Sequence, residues 1–246
     1  MRTYAIGDIH GHLDKLEAAH RLIAADRAAT GDAEAPVVHI GDLVDRGPDS
    51  RGVIDYLIRG IAGGAPWVAL KGNHDRMFAR FLGDPDSHDP GLRESLHWID
   101  PRLGGGTTLA SYGVEGAGER LLLDIHEEAV AVVPQTHVAF LGGLKQYFRR
   151  GAALFVHAGI RPGVPLDRQS EDDLLWIRRD FLDDTSDHGM LVVHGHTPVE
   201  VASHYGNRVN IDTGAGYGKP LTAVVIEGDR VWHLTGDGRA PIPPPV

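Results

Sequence analysis

The 246-residue sequence predicts an α/β domain with a mainly parallel sheet and a site at its strand ends. Three observations carry this. Strand-like and helix-like segments alternate through residues 1–80, the order of βαβ units with right-handed crossovers. Five short apolar runs each end in a cluster of carboxylate, imidazole or amide side chains. Those clusters are scattered from Asp8 to His196, so one site could hold them only if a fold gathers several strand tips.

The first apolar run, Tyr4-Ala5-Ile6, leads into Gly7-Asp8-Ile9-His10-Gly11. After it, Leu13, Leu16, Ala19 and Ile23 place an apolar residue every three or four positions, as a core-facing helix does. Thr30 to Pro36 reads as a polar turn. Val37 to Ile40 is the second strand and leads into Gly41-Asp42-Leu43-Val44-Asp45-Arg46-Gly47. Asp49-Ser50 open a helix striped by Val53, Ile54, Leu57, Ile58 and Ile61, which Gly63-Gly64 ends. Trp67 to Leu70 is the third strand and leads into Lys71-Gly72-Asn73-His74-Asp75.

Residues 83–150 are less regular and read as an insertion or cap. Asp84-Pro85-Asp86 and Gly104-Gly105-Gly106 mark loops; Leu92 to Ile99 and His137 to Leu141 read as helical. Strands follow at 153–156, 190–193, 208–212, 221–226 and 230–234. The first two lead into His157-Ala158-Gly159 and His194-Gly195-His196-Thr197. Val224-Val225-Ile226 and Val231-Trp232-His233-Leu234 flank a Gly-Asp turn and predict a hairpin. Residues 240–246, rich in proline, predict a loose tail. No repeat and no linker divides the chain, so one domain over 1–246 is expected.

Hydrophobic residues at 42% and charged residues at 24% are ordinary for a soluble protein. The formal net charge of −10 opposes duplex nucleic-acid binding and adhesion to anionic membranes, both of which need a basic face. With no cysteine, disulfides, zinc thiolate sites and a thiol nucleophile are excluded. No apolar stretch is long enough to span a bilayer, and the sequence opens on a strand without a signal-like start. A cytoplasmic protein is expected.

Ligands of open parallel sheets bind beyond the carboxyl ends of the strands, where these clusters lie. Asp8 and His10, two apart, would share a face if the strand continued. Asp8, His10, Asp42, Asn73, His157 and His196 form a mixed nitrogen and oxygen donor set, which suits manganese, iron or zinc better than calcium. Six ligands are too many for one open catalytic ion and reasonable for two sharing a carboxylate. Such a pair, about 3.5–4 Å apart, binds a water, lowers its pKa and clamps phosphoryl oxygens. With Arg46 nearby, the expected chemistry is phosphate-ester hydrolysis by direct water attack. Gly214-Ala215-Gly216-Tyr217-Gly218 lacks the dinucleotide fingerprint, and Gly104-Gly105-Gly106 lacks the Lys-Ser/Thr of a P-loop. His194 reads as a ligand's neighbour or a structural residue. His20, His39 and the other histidines read as core or surface.

The blocks around Asp8, Asp42 and Asn73 resemble the three signature blocks of the calcineurin-like metallophosphoesterases. Val44-Asp45-Arg46-Gly47 is similar to the phosphoprotein phosphatase branch, which includes bacterial Ser/Thr phosphatases and is related to diadenosine tetraphosphatases. The resemblance extends through His157-Ala158-Gly159, Leu174 to Arg178, Gly195-His196-Thr197-Pro198 and Asn210 to Gly214, and so covers most of the chain. It implies a β-sandwich of mixed sheets flanked by helices. It implies that Asp8, His10 and Asp42 hold one metal, and that Asp42 bridges to a second held by Asn73, His157 and His196. His74 would be the general acid, oriented by Asp45. Arg46 and Arg178 would grip phosphate, a task suited to guanidinium, with Arg179 left open as the alternative to Arg178. The implied cofactors are two divalent ions, manganese first, with iron, zinc, nickel or cobalt as alternatives. The implied substrate is a phosphoserine or phosphothreonine protein, attacked by hydroxide bridging the metals. Symmetrical hydrolysis of diadenosine tetraphosphate, or of another nucleotide, is the alternative, and a non-catalytic scaffold the third reading. His10, where diadenosine tetraphosphatases often carry Gln, favours the protein substrate. Asp75 stands where eukaryotic relatives usually carry Glu.

Overall fold

The computed structural model describes residues 1–245; Val246, the end of the expected tail, lies outside them. The elements in chain order are β1 (Arg2–Ile6), α1 (Leu13–Thr30), β2 (Val37–His39), α2 (Ser50–Ala62), β3 (Trp67–Ala69), α3 (Asn73–Gly83), α4 (Gly105–Ser111), α5 (Leu122–Val132) and α6 (Gln135–Gly142). Then come β4 (Tyr147–Arg150), β5 (Ala153–Val156), α7 (Glu171–Trp176), α8 (Arg179–Leu182), β6 (Leu191–His194), β7 (Ser203–His204), β8 (Arg208–Asn210), β9 (Ala223–Glu227), β10 (Arg230–Thr235) and β11 (Gly238–Pro241).

They form two mixed sheets. The first runs β11-β10-β9-β1-β2-β3, with β1, β2 and β3 parallel and the rest antiparallel. The second runs β4-β5-β6-β8-β7, parallel at its centre and antiparallel at both edges. The parallel expectation thus holds for the strands that carry the clusters. Between the sheets, Ala5, Val38, Ile40 and Val224 meet Phe155, Val193 and Val209. On the outer face of the first sheet, Tyr4, Ile6 and Val37 pack on Leu16, Ile23, Val53 and Leu57 of α1 and α2. On the outer face of the second, Leu154, Val156 and Val192 pack on Leu174 and Phe181. Residues alternate between faces, yet both faces are covered, which is why these strands read as unbroken apolar runs. Burying a side chain such as Phe155 contributes about 1.5–3 kcal/mol.

Several expectations change. Leu92–Ile99 forms successive turns, closed by Leu96 N–H to Arg93 O and Asp100 N–H to His97 O (2.9 and 2.8 Å), because Trp98 is drawn inward to a buried carboxylate. Gly104 takes a left-handed φ of 86°, and α4 begins at the next residue. The helices α3 and α5 and the edge strand β4 had no clear sequence signal. The loose tail starts later than residue 240. Ala240 and Pro241 close β11 on a sheet edge, where proline's missing N–H costs nothing. Ile242 donates its N–H to Val231 O (2.9 Å) and is buried. No described helix is long and apolar enough to cross a membrane.

Candidate metal centre

The loops after β1, β2, β3, β5 and β6 converge at one end of the sandwich. Their backbone is unusual there. His10, Asp42, Asp45, Arg46 and His196 have φ of 47°, 50°, 74°, 69° and 63°, and they are the only non-glycine residues with positive φ among the described residues. Such conformations cost about 1–3 kcal/mol each and persist where surrounding structure enforces them. All five are candidates from the sequence. The left-handed turn at His10 also means that β1 does not continue through it, so the shared-face argument for Asp8 and His10 fails. They reach the site by a turn instead.

Asp42 sits at the middle. Its Oδ2 lies 3.4 Å from His10 Nε2, its Oδ1 lies 3.3 Å from His157 Nε2, and Oδ1 accepts the His74 N–H (3.0 Å). Two groups with metal-ligand geometry share it: His10, Asp42 and His74, and Asp42, His157 and His196. Asn73 Oδ1 lies 2.9 Å from both His157 Nε2 and His196 Nδ1. Asp8 Oδ2 accepts the His196 N–H (3.0 Å), while Asp8 Oδ1 and His196 Nε2 are buried without a partner. A Cβ on Gly195 would overlap Asp8 Oδ1, so only glycine fits there.

The imidazoles are oriented by the backbone. His10 Nδ1–H donates to Val44 O (3.0 Å) and His157 Nδ1–H to Ile40 O (3.1 Å), which leaves each Nε2 lone pair facing inward. Burial pushes His10, His157 and His196 down from the usual imidazole range, so the rings are neutral, as ligation requires. Burial, with Asp212 and Asp42 nearby, pushes Asp8 well above the usual carboxylate range. Burial likewise raises Asp212, to about 6. Crowded carboxylates, neutral rings and orphaned donor atoms fit divalent cations, which would relieve the like-charge contacts.

His74 opens α3. Its Nδ1–H donates to Asp45 Oδ2 at 2.6 Å, and its Nε2 faces the centre, 4.0 Å from Asp42 Oδ2. It is therefore close enough to count among ligands, although half of its ring is committed to Asp45. The Arg46 guanidinium donates to His10 Nε2 (2.8 Å) and lies 3.2 Å from His74 Nε2. Arg178 is exposed and donates to Thr197 Oγ1 (3.2 Å), beside His196; Arg179 begins α8. His194 is buried behind the centre, where Arg208 donates to its Nε2 (3.3 Å).

Sequence reasoning missed three supports. Trp98 Nε1–H donates to Asp45 Oδ2 (2.8 Å), and Thr108 Oγ1–H donates to Asp45 Oδ1 (2.7 Å) while accepting the Asp45 N–H (2.8 Å). Asp89 accepts from Trp176 Nε1 (2.9 Å), whose ring meets His196 edge-on at 5.6 Å. No local spacing distinguishes these residues from ordinary cap residues. Asp75 ties the second and third loops together by accepting the Leu43 and Gly72 N–H groups (2.9 and 2.8 Å).

Two carboxylate–imidazole groups sharing one aspartate, with an arginine beside them at the tips of two stacked mixed sheets, define a metal-dependent phosphoesterase. The calcineurin-like phosphoesterase family matches residues 1–226, and the chain belongs to that family. The chain is 27% identical over 242 residues to the asymmetrical bis(5'-nucleosyl)-tetraphosphatase PrpE of Anoxybacillus flavithermus, covering 89% of this chain and 88% of the relative. It is 27% identical over 253 residues to the PrpE of Geobacillus thermodenitrificans, covering 91% and 90%. Among solved structures, a protein proposed to be a diadenosine tetraphosphatase shares the fold with TM-score 0.64 at 22% identity, covering 98% of this chain and 93% of that one. A cold-active protein tyrosine phosphatase shares it with TM-score 0.63 at 16% identity, covering 99% and 79%.

Proposed function

We propose that this phosphoesterase hydrolyses dinucleoside polyphosphates, cutting a tetraphosphate chain asymmetrically. The geometric observation that carries the hydrolytic reading is the convergence of strained, buried donors on Asp42 with the Arg46 guanidinium directed at the same point. The substrate class is supported by the bis(5'-nucleosyl)-tetraphosphatase relatives, matched along nearly the whole of both chains. Their asymmetrical cleavage replaces the symmetrical cleavage of the alternative reading from sequence.

In this reading Asp8, His10 and Asp42 hold one divalent ion, and Asp42, Asn73, His157 and His196 hold a second, manganese being the first choice. When bound, the ions activate water and neutralise charge on the phosphoryl oxygens. Arg46 and Arg178 hold those oxygens, Arg46 from the centre and Arg178 from the rim. Water oxygen bonds to phosphorus and its released proton passes to solvent, while the bridging P–O bond breaks and the departing phosphate takes the proton that His74 carries on Nε2. Asp45 keeps His74 in place through Nδ1. The products are one nucleoside triphosphate and one nucleoside monophosphate.

The second reading keeps the chemistry and takes phosphoserine or phosphothreonine in proteins. The Val44-Asp45-Arg46-Gly47 block and the retained His10 favour it. One experiment separates the two: diadenosine tetraphosphate and a phosphopeptide, each with manganese, followed by chromatography of products. Equal amounts of ATP and AMP are expected. ADP alone overturns the asymmetrical cut. Turnover of the phosphopeptide alone moves the function to the second reading, and turnover of neither removes both.

A further inference from the structure

We infer that Tyr217 is a stacking platform for the nucleobase attached to the phosphate held by Arg46, and so a specificity-determining residue. This inference rests on the nucleotide reading above. Tyr217 is 62% exposed, so its ring is accessible to a ligand. It closes a 3₁₀ turn, Ala215–Tyr217, framed by Gly214 and Gly218 with φ of 82° and 84°.

The turn lies directly on the candidate centre. A Cβ on Gly216 would come within 2.6 Å of His10 Cδ2 and 3.0 Å of Arg46 Cδ, so the backbone packs against both side chains. The Arg46 guanidinium carbon is 4.6 Å from the Tyr217 ring centroid, a cation–π contact that fixes one face of the ring. The remainder of the ring is open to solvent. Because the same guanidinium donates to His10 and lies against His74, the ring stands one side chain away from the point where a phosphate would sit.

The platform is also held still. Lys15, from α1, donates Nζ–H to Ala215 O (3.0 Å) and Lys219 O (2.8 Å). Tyr217 N–H closes on Gly214 O (2.9 Å), Gly218 N–H on Ala215 O (3.1 Å), and Gly214 N–H on Asp212 Oδ1 (2.9 Å). A rigid aromatic beyond a phosphate-gripping arginine matches a nucleoside 5'-phosphate, which carries its base one ribose from phosphorus. Every base has a π-face, so the platform would accept purines broadly and would not read hydrogen-bonding edges.

The test compares two substrates, diadenosine tetraphosphate and base-free inorganic tripolyphosphate, on wild type, Tyr217→Ala and Tyr217→Phe. In Tyr217→Ala the ratio of the dinucleotide KM to the tripolyphosphate KM should rise roughly 5- to 150-fold, the range a lost base–aromatic stack produces. Tyr217→Phe should restore the wild-type ratio. An unchanged ratio in Tyr217→Ala overturns the platform while wild-type turnover of the dinucleotide keeps the proposed function standing. Should the wild type not cleave the dinucleotide, the proposed function fails first. Titration of Tyr217→Trp with AMP then judges the platform alone: saturable fluorescence quenching by AMP, greater than by inorganic phosphate, supports it, and equal quenching overturns it.

Discussion

The five strand-end loops and the segment between residues 83 and 150 contribute to the centre in opposite ways, and the segment reaches it through Asp45. The segments that follow these strands supply every donor atom around Asp42, and they hold His10, Asp42 and His196 in left-handed backbone. The intervening segment supplies no donor to those groups. It supplies Trp98 and Thr108, which bond both carboxylate oxygens of Asp45 from outside. Ligands must meet one another in space, so the fold carries them at fixed positions. Supports need only reach one atom from any direction, so an irregular segment can furnish them.

The comparison breaks most visibly at Asp42. Asp42→Asn keeps shape but removes the charge that both donor groups share. Turnover should fall by more than the roughly 100-fold that loss of an outer hydrogen-bond partner costs at metal sites. Metal analysis should show loss at both positions. Retention of two ions per chain would remove Asp42 as the shared ligand.

The intervening segment is tested by Trp98→Phe and Thr108→Val. Trp98→Phe keeps the ring stacked on Phe78 (5.2 Å, 21°) but removes the N–H that Asp45 Oδ2 accepts. Thr108→Val removes a hydroxyl with little change in volume and leaves the Asp45 N–H with Ser50 Oγ (3.1 Å) as its remaining partner. Each should lower kcat by about 10- to 100-fold while metal content stays at the wild-type level. Each should also destabilise the fold by about 1–3 kcal/mol, the cost of leaving a buried polar group short of a partner. Unchanged kcat in both variants, with the fold intact, would reduce the segment to a cover.

The same contrast explains what could be read beforehand. Short apolar runs ending in Asp, His and Asn mark parallel strands covered on both faces, because both faces demand apolar side chains and only the tips are free for chemistry. Asp8, His10, Asp42, Asn73, His157 and His196 were therefore visible, and the structure brings all six together. Trp98 was not, since its role depends on a turn at residues 92–99 that tertiary contact imposes over a helical-looking pattern. Tyr217 lies among glycines whose only sequence message is that they lack the dinucleotide fingerprint. Those glycines serve instead to press a turn against His10 and Arg46.

The smallest effect concerns a strand-end histidine and its helical partner, which take no part in the centre. His39 ends β2, three residues before Asp42, yet its Nδ1–H donates to Val68 O (3.3 Å) and its Nε2 accepts from His20 Nε2–H (3.0 Å). The pair is complete within itself, on the far side of the sheet against Trp67. Burial lowers His39 to about 4 and His20 to about 2. Both stay neutral in the folded chain, whereas the unfolded chain binds their protons below about pH 6.5. The unfolded state then holds more protons than the folded one, so stability is full above pH 6.5 and is lost as pH falls toward 4. The slope is at most about 1.4 kcal/mol per pH unit for each histidine. Denaturant unfolding at pH 7, 6 and 5 should show this loss in the wild type and a shallower one in His20→Phe/His39→Leu. The double variant should keep the wild-type kcat at neutral pH, since neither ring faces the centre. An equal slope in both proteins would place the acid sensitivity among the histidines around Asp42.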